Sequence, residues 1–344
     1  MRELLKELCL EFGPSGYTDR VLDIVEREIK SCGIDAYEKD ELGNLILRIK
    51  NEGAPKLLIN AHMDEVGFMV TGILESGLLK FGAVGGIDPL ILSSKRVVSE
   101  NGVIGCIVSK PVHLLSSEER DKRTEIEDMV IDIGASSRRE AEELCLVGDY
   151  FTFLSDFCEL GTDLVKCKAL DDRLGVTIML RLIKELSASK IKSKYDLYFA
   201  FTDREEVSFS GAFSVAEKIK PDYAVIIESK AVLDLYGIPK SKRVSCLGDG
   251  AIVSFADRAT VYSRDLIRHV MALCEKNGIK YQVNKFISGG NDATSFQKGA
   301  GGAKVSTISA ASRYIHSGAN VVSYSDLCEI YRTVLAIICE EDEK

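Results

Sequence analysis

Several places in this 344-residue sequence set histidines or acids directly after short apolar runs. Lys56 to Ala61 leads into His62-Met63-Asp64, Tyr195 to Thr202 into Asp203-Arg204-Glu205-Glu206, and Asp222 to Ile227 into Glu228. Asp171-Asp172 opens an apolar helical pattern from Leu174, and His316 lies in Arg313-Tyr314-Ile315-His316-Ser317, after the apolar stretch Ala303 to Ile308. Two histidines with several carboxylates suit zinc, cobalt or manganese better than calcium, which takes oxygen ligands throughout. In His62-x-Asp64 the acid could hold the second ring nitrogen of a metal-bound imidazole and so fix its tautomer. Neighbouring side chains on extended backbone point to opposite sides. Glu205 and Glu206 can therefore divide their work, one binding an ion and the other taking a proton from an attacking water.

Taken singly, each signal is weak. A lone His-x-Asp is more often a hydrogen-bonded histidine at a strand end than a ligand, and acids at a helix start commonly serve as caps. Glu118-Glu119, Glu142-Glu143 and Glu340-Glu341 are further acidic pairs that read as solvated faces among 53 acidic residues. Of the other two histidines, His113 reads as structural and His269 as a surface or half-buried helix residue. The motifs of other chemistries are missing: no G-x-S-x-G elbow, no G-x-x-x-x-G-K-[ST] loop, and no C-x-x-C among ten cysteines.

The elements that must position these residues alternate. Two helices fill residues 1–32, broken at Gly13-Pro14-Ser15-Gly16, and a hairpin turning at Leu42-Gly43-Asn44 spans 35–50. The three apolar runs follow as strands, with helices predicted over 174–186, 211–219 and 264–277. This pattern argues for an α/β fold with a mixed, mostly parallel sheet flanked by helices. Ligands in such sheets bind beyond the carboxyl ends of the strands, where all the acid- and histidine-bearing ends would meet. Residues 67–161 differ: short Gly-rich strands and one charged helix-like segment, Ser116 to Glu127, read as an inserted β-rich domain. The expected division is 1–66 with 162–344, and 67–161. A net charge of −9 and a pI near 5.2 argue against nucleic acid or an anionic membrane as partner. The sequence has no apolar run of membrane-spanning length, its amphipathic start does not read as a signal peptide, and its scattered thiols suit a reducing compartment. The expected location is the cytoplasm.

Together, and in order, these residues resemble the glutamyl aminopeptidase or tetrahedral aminopeptidase family of dinuclear zinc peptidases, some of which carry an endoglucanase label. The likeness runs through Phe12-Gly13-Pro14-Ser15-Gly16, Ala61-His62-Met63-Asp64-Glu65-Val66-Gly67-Phe68, Ile131-Asp132-Ile133-Gly134-Ala135, Ala169-Leu170-Asp171-Asp172-Arg173, Glu205-Glu206-Val207 and Arg313-Tyr314-Ile315-His316-Ser317. It implies two divalent ions per chain, zinc or cobalt, with manganese a further choice. Asp171 would bridge them, Glu206 and His316 completing one site and His62 and Glu228 the other. By the same likeness Glu205 is the general base, Asp64 supports His62, and the Asp171-Asp172 peptide is cis. Arg204, Gly290 and Asp292 are the expected substrate contacts. The implied reaction removes N-terminal residues from peptides. The insertion would be a dimerisation domain, with dimers assembling into a tetrahedral dodecamer. The chain departs from the family pattern at Glu228, where aspartate is usual, at Arg204 (usually Gln), at Ser208 (usually Gly) and at Asn291 (commonly Thr). To reach the same ion, the longer Glu228 needs its backbone set farther back or its side chain folded, and Lys230 would compete with the metal if it reaches the carboxylate. Two alternatives stand beside this reading: a carboxypeptidase or deacylase of the same clan, and an inactive paralogue that keeps the fold. No paired-carboxylate glycosidase site supports the endoglucanase label.

Overall fold

The computed structural model describes residues 1–117, 123–189, 193–299 and 301–340. Seventeen strands occur among them: β1 Tyr37–Lys39, β2 Leu45–Ile49, β3 Lys56–His62, β4 Gly67–Ile73, β5 Leu79–Val84, β6 Arg96–Ser99, β7 Ile104–Ser109, β8 Met129–Asp132, β9 Tyr150–Phe153, β10 Cys158–Leu160, β11 Leu164–Cys167, β12 Asp196–Thr202, β13 Tyr223–Ala231, β14 Ala251–Ser254, β15 Tyr281–Asn284, β16 Lys304–Arg313 and β17 Asn320–Ser323. Eleven of them form one sheet in the order β1-β2-β12-β3-β13-β16-β17-β11-β10, with β14 against β16 and β15 against β14. Its centre, β12-β3-β13-β16, is parallel. Antiparallel strands extend it on both sides.

The central strands are apolar along nearly their whole length because helices cover both faces of such a sheet. Leu57 to Ala61 and Leu197 to Phe201 are buried without alternation. The helix Leu170–Ser189 lies against β3 and β13, Ser210–Ile219 against β12, and Arg264–Lys276 and Tyr324–Ile338 against β14 and β16. Arg264–Lys276 shows how pattern becomes packing: Ile267, Val270, Leu273 and Cys274 recur at helical spacing and form its buried stripe. The helices Arg2–Leu10 and Asp19–Ser31 flank the Gly13 turn, as the sequence predicts.

Strands β4-β5-β8-β7-β6-β9 close a small barrel with its own core. Phe68 stands edge-on to Phe81 and Phe153 there, at ring distances of 5.4 and 5.1 Å. The barrel strands end at Phe153, and the next strand, β10, pairs with β11. The third apolar run, expected to end at Glu228, forms a longer strand: β13 runs past Glu228 to Ala231. The ten-residue β16 pairs with it as far as Ala231 opposite Ser312, which carries the strand onward. Of the predicted segment Ser116 to Glu127, residues 118–122 lie outside the described residues, and Ile126–Asp128 is a capped 3-10 turn. His113 and His269 are both exposed, His269 bonding Glu340 at 2.8 Å. All ten cysteines are free thiols. No helix among the described residues is long and apolar enough to cross a membrane.

Candidate metal centre

Sheet register brings the predicted residues to one edge. Thr202 of β12 pairs with His62 at the end of β3, so Asp203 to Glu206 begin where His62 sits. On the other side of β3, Ile226 of β13 pairs with Asn60, which sets Glu228 level with His62. His316 follows the end of β16 in a turn where Tyr314 and His316 both take positive φ. Asp171 arrives from the link between β11 and the helix Leu170–Ser189. It and Asp172 depart from helical geometry, and the peptide bond between them is cis.

Two sets of donors share Asp171. Its Oδ1 lies 3.5 Å from His62 Nε2 and its Oδ2 lies 3.3 Å from His316 Nε2. Glu228 Oε1 is 3.7 Å from the same His62 nitrogen, and Glu206 Oε2 is 3.3 Å from the same His316 nitrogen. Glu205 Oε2 stands 3.9 Å from His62 Nε2. These separations exceed most hydrogen bonds. The 3.3–3.5 Å separations of Asp171 and Glu206 from the histidine nitrogens match two ligands of one ion, since bonds of about 2.0–2.1 Å in tetrahedral array put neighbouring ligand atoms about 3.3 Å apart, while Glu228 and Glu205 stand wider. Asp171 Oδ1 and Glu228 Oε2 are buried without a hydrogen-bond partner, as atoms facing a cation would be. Asp172 also comes within 4.8 Å of the His62 and Glu228 donor atoms. Its Oδ1 accepts from Gly175 N (3.2 Å) and its Oδ2 is buried without a partner, whereas both Asp171 oxygens face histidine nitrogens.

Charge crowding points the same way. Burial pushes Glu206 and Glu228 each up to about 8 and Asp292 to about 7, and it lifts Glu205 well above the carboxylate range. Burial opposes ionisation of His316, yet the charges of Glu206 and Asp171 outweigh it and raise the ring to about 10. Asp171 goes the other way. Burial works to raise it, but the two histidines hold it well below the usual range. Without added positive charge the cluster must hold extra protons. A divalent cation would replace them.

Supporting contacts reach further than the sequence suggests. His62 Nδ1 faces the Asp64 carbonyl at 3.1 Å and its carboxylate at 3.4 Å. The same carboxylate accepts from the backbone N–H groups of Glu205 (3.1 Å) and Glu206 (3.2 Å) and from the Ser15 hydroxyl. Asp64 thus fixes one imidazole and both glutamates. His316 Nδ1 faces the carbonyl of Gly86, at the barrel edge, at 2.7 Å. Fully buried Arg173 donates to the carbonyls of Leu8 (2.6 Å), Gly13 (3.1 Å) and Met63 (2.5 Å), tying the first turn and the end of β3 to the segment that carries Asp171.

A cavity of about 360 Å³ opens on the centre. Gly290 lines it, while Arg204 and Asp292 are not among its lining residues. Asp292 lies buried beneath, its Oδ2 accepting from Thr202 Oγ1 at 2.7 Å, and Arg204 holds a left-handed turn before the glutamate pair. Glu228 does fold: its Oε1 turns back to accept from Ser229 N at 2.8 Å. Lys230 does not reach it. Alternation puts Lys230 on the same face but about 6.6 Å farther along the strand, and its Nζ donates to Ser288 O at 3.3 Å.

The geometry has counterparts among solved structures. The chain aligns over 99% of its length, and 96% of the other chain, with a TET aminopeptidase from the marine sediment archaeon Thaumarchaeota archaeon SCGC AB-539-E09, at 32% identity and a TM-score of 0.95. It aligns over 99% of both chains with the Pyrococcus horikoshii TET1 peptidase, which assembles into a tetrahedron or a large octahedral shell, at 37% identity and a TM-score of 0.87. The lysyl aminopeptidase of Pyrococcus furiosus is 28% identical over 98% of this chain and 96% of its own. Residues 43–332 match the model of the M42 glutamyl aminopeptidases. By that match and by the donors gathered at its sheet edge, this chain belongs to the M42 glutamyl aminopeptidase family and is a metal-dependent aminopeptidase.

Proposed function

We propose that the chain binds two divalent metal ions, zinc or cobalt with manganese as the third choice, and uses them to remove the N-terminal residue from short peptides. The observation that carries this is Asp171, whose two oxygens face two different histidine–glutamate sets. His62 and Glu228 would hold one ion and Glu206 and His316 the other. Bound there, the ions would supply an acidified water, an anchor for the free α-amino group and polarisation of the scissile carbonyl. Glu205 takes the proton of the attacking water and returns it to the leaving amine. Burial keeps that carboxyl poised to hold a proton, and Asp64 fixes its backbone. Asp64 and Gly86 hold the two imidazoles by their far nitrogens, so each presents Nε2 to the centre.

The barrel belongs to a separate unit, residues 67–161, inserted into the catalytic domain 1–66 and 162–344, and it drives dimerisation. Dimers close into a tetrahedral dodecamer, as the Pyrococcus horikoshii relative's assembly suggests. Cytoplasmic location is part of the same reading. Metal analysis with a panel of free-amine and N-blocked peptides tests the function. Two ions per chain with cleavage of free-amine peptides alone is expected. Cleavage restricted to N-blocked or C-terminal bonds would transfer the chain to a deacylase or carboxypeptidase reading.

A further inference from the structure

The two donor sets are held from different parts of the molecule. His62 and Glu228 lie in strands of the large sheet, and the second ring nitrogen of His62 faces Asp64, two residues along the same segment. Glu206 and His316 are touched by the barrel instead. Beyond Val84, the last residue of β5, come Gly85 and Gly86, and the Gly86 carbonyl faces His316 Nδ1 at 2.7 Å. Gly85 takes a φ of +91°, where glycine is favoured. A Cβ added there would stand 2.8 Å from Val66 Cγ1 and 3.4 Å from Glu206 Cβ. At Gly86 the same addition would stand 3.6 Å from His316 Nδ1, an ordinary van der Waals contact. Both sides of the glycine pair are pinned: Val84 pairs with Gly67, next to Val66, and Ile87 is buried in the barrel core.

We propose that Gly85 and Gly86 are positioning residues for Glu206 and His316, so that the barrel sets how tightly their ion is held while the large sheet sets the ion of His62 and Glu228. The inference rests on the two-ion reading above. The Gly86 carbonyl turns the imidazole so that its Nε2 lies 3.3 Å from both Asp171 and Glu206. The bare Cα of Gly85 lets the loop approach Glu206 with nothing projecting between them. A side chain at position 85 must displace Val66, Glu206 or the loop itself, and a displaced loop withdraws the Gly86 carbonyl from the ring. Contacts of this kind, behind the ligands of a metal, are worth about 10- to 100-fold in its affinity.

The test measures zinc uptake by the chelated full-length protein, by calorimetry and elemental analysis, for the wild type, Gly85→Ala and Gly86→Ala. The wild type and Gly86→Ala should each take up two ions per chain with matching affinities. Gly85→Ala should keep one ion at wild-type affinity and bind the other about 10- to 100-fold more weakly. Combined with His316→Ala it should lose no more metal than His316→Ala alone, whereas its effect should add to that of His62→Ala. Spectra of 15N-labelled histidine in the chelated protein, to which only four imidazoles contribute, should show the His316 signal moved by Gly85→Ala and the His62 signal unmoved. Should Gly85→Ala fold poorly, adding Val66→Ala removes the 2.8 Å contact and keeps the one to Glu206, with the same outcome expected. Equal weakening of both ions, or of neither, overturns the inference while the two-ion reading stands. A wild type that takes up a single ion refutes that reading by itself. The His316 signal then decides the role of Gly85: a moved signal upholds the inference and an unmoved one overturns it.

Discussion

Glu205 and Glu206 are neighbours in the chain with unequal surroundings. Glu206 lies 3.3 Å from His316 Nε2, whereas Glu205 stands back at 3.9 Å from His62 Nε2 with its backbone held by Asp64. Glu205→Gln should therefore keep both ions while kcat falls by at least ~10²-fold, the scale of removing a general base. Glu206→Gln should lower metal occupancy, because an amide is a much poorer ligand than a carboxylate. Equal metal loss in both variants, read by elemental analysis, would refute this division. Glu228 invites a second prediction. Its Oε1 is shared with the Ser229 N–H, so this carboxylate is already partly engaged. The ion held with His62 should leave first under mild chelation, and Glu228→Asp, with a shorter arm on an unmoved strand, should bind it more weakly still. Two ions released together, or a tighter Glu228→Asp variant, would sink this account. At this scale the sequence was legible for side chains that end strands, His62 and Glu205-Glu206 among them. It was silent on the Gly86 carbonyl, because a backbone oxygen carries no sequence signature.

At the scale of elements, the centre depends on how one helix start is held against the end of β3. Arg173 does this from inside, donating to three carbonyls with no exposure to solvent. Glu65 lies 3.8 Å from Arg173 and 2.5 Å from Lys168, which adds a buried ionic contact to the same joint. Arg173→Met should destabilise the protein by about 3–5 kcal/mol, the usual cost of removing one member of a buried charged network. A thermal midpoint within about 1 °C of wild type would contradict it. The order of strands and helices followed from hydrophobic period and turn residues, while the far end of β13 was misjudged. Strand length there is set by the neighbour β16, which local periodicity does not reveal. Asp64 shows the same limit: its reach to the Glu205 and Glu206 amides spans more than 140 residues and depends on the parallel pairing of β3 and β12.

Over the whole molecule the buried acids make stability a function of pH and metal together. Glu206 and Glu228 titrate near 8 in the folded, metal-free chain, and His316 near 10, all above their unfolded values. Between about pH 5 and 8 the folded state therefore holds more protons than the unfolded one, and stability falls as pH rises. Asp171 and Asp64 shift downward, which acts with the opposite sign but below this window. The chelated protein should melt at a lower temperature at pH 8.5 than at pH 5.5, and zinc should restore the midpoint most strongly at the higher pH. A chelated protein that gains stability toward pH 8.5 would refute the assignment.

The sheet order has a consequence for how the molecule comes into being. The donors are scattered from His62 to His316, and the last of them follows β16, which is also the strand that completes the parallel centre. A chain emerging from the ribosome has His62, Asp171, Glu206 and Glu228 outside long before it has His316. Until β16 slots in beside β13, the second donor set lacks its only nitrogen. On the two-ion reading proposed above, a copy truncated before His316 should hold less metal than the full chain, which elemental analysis of the two would check.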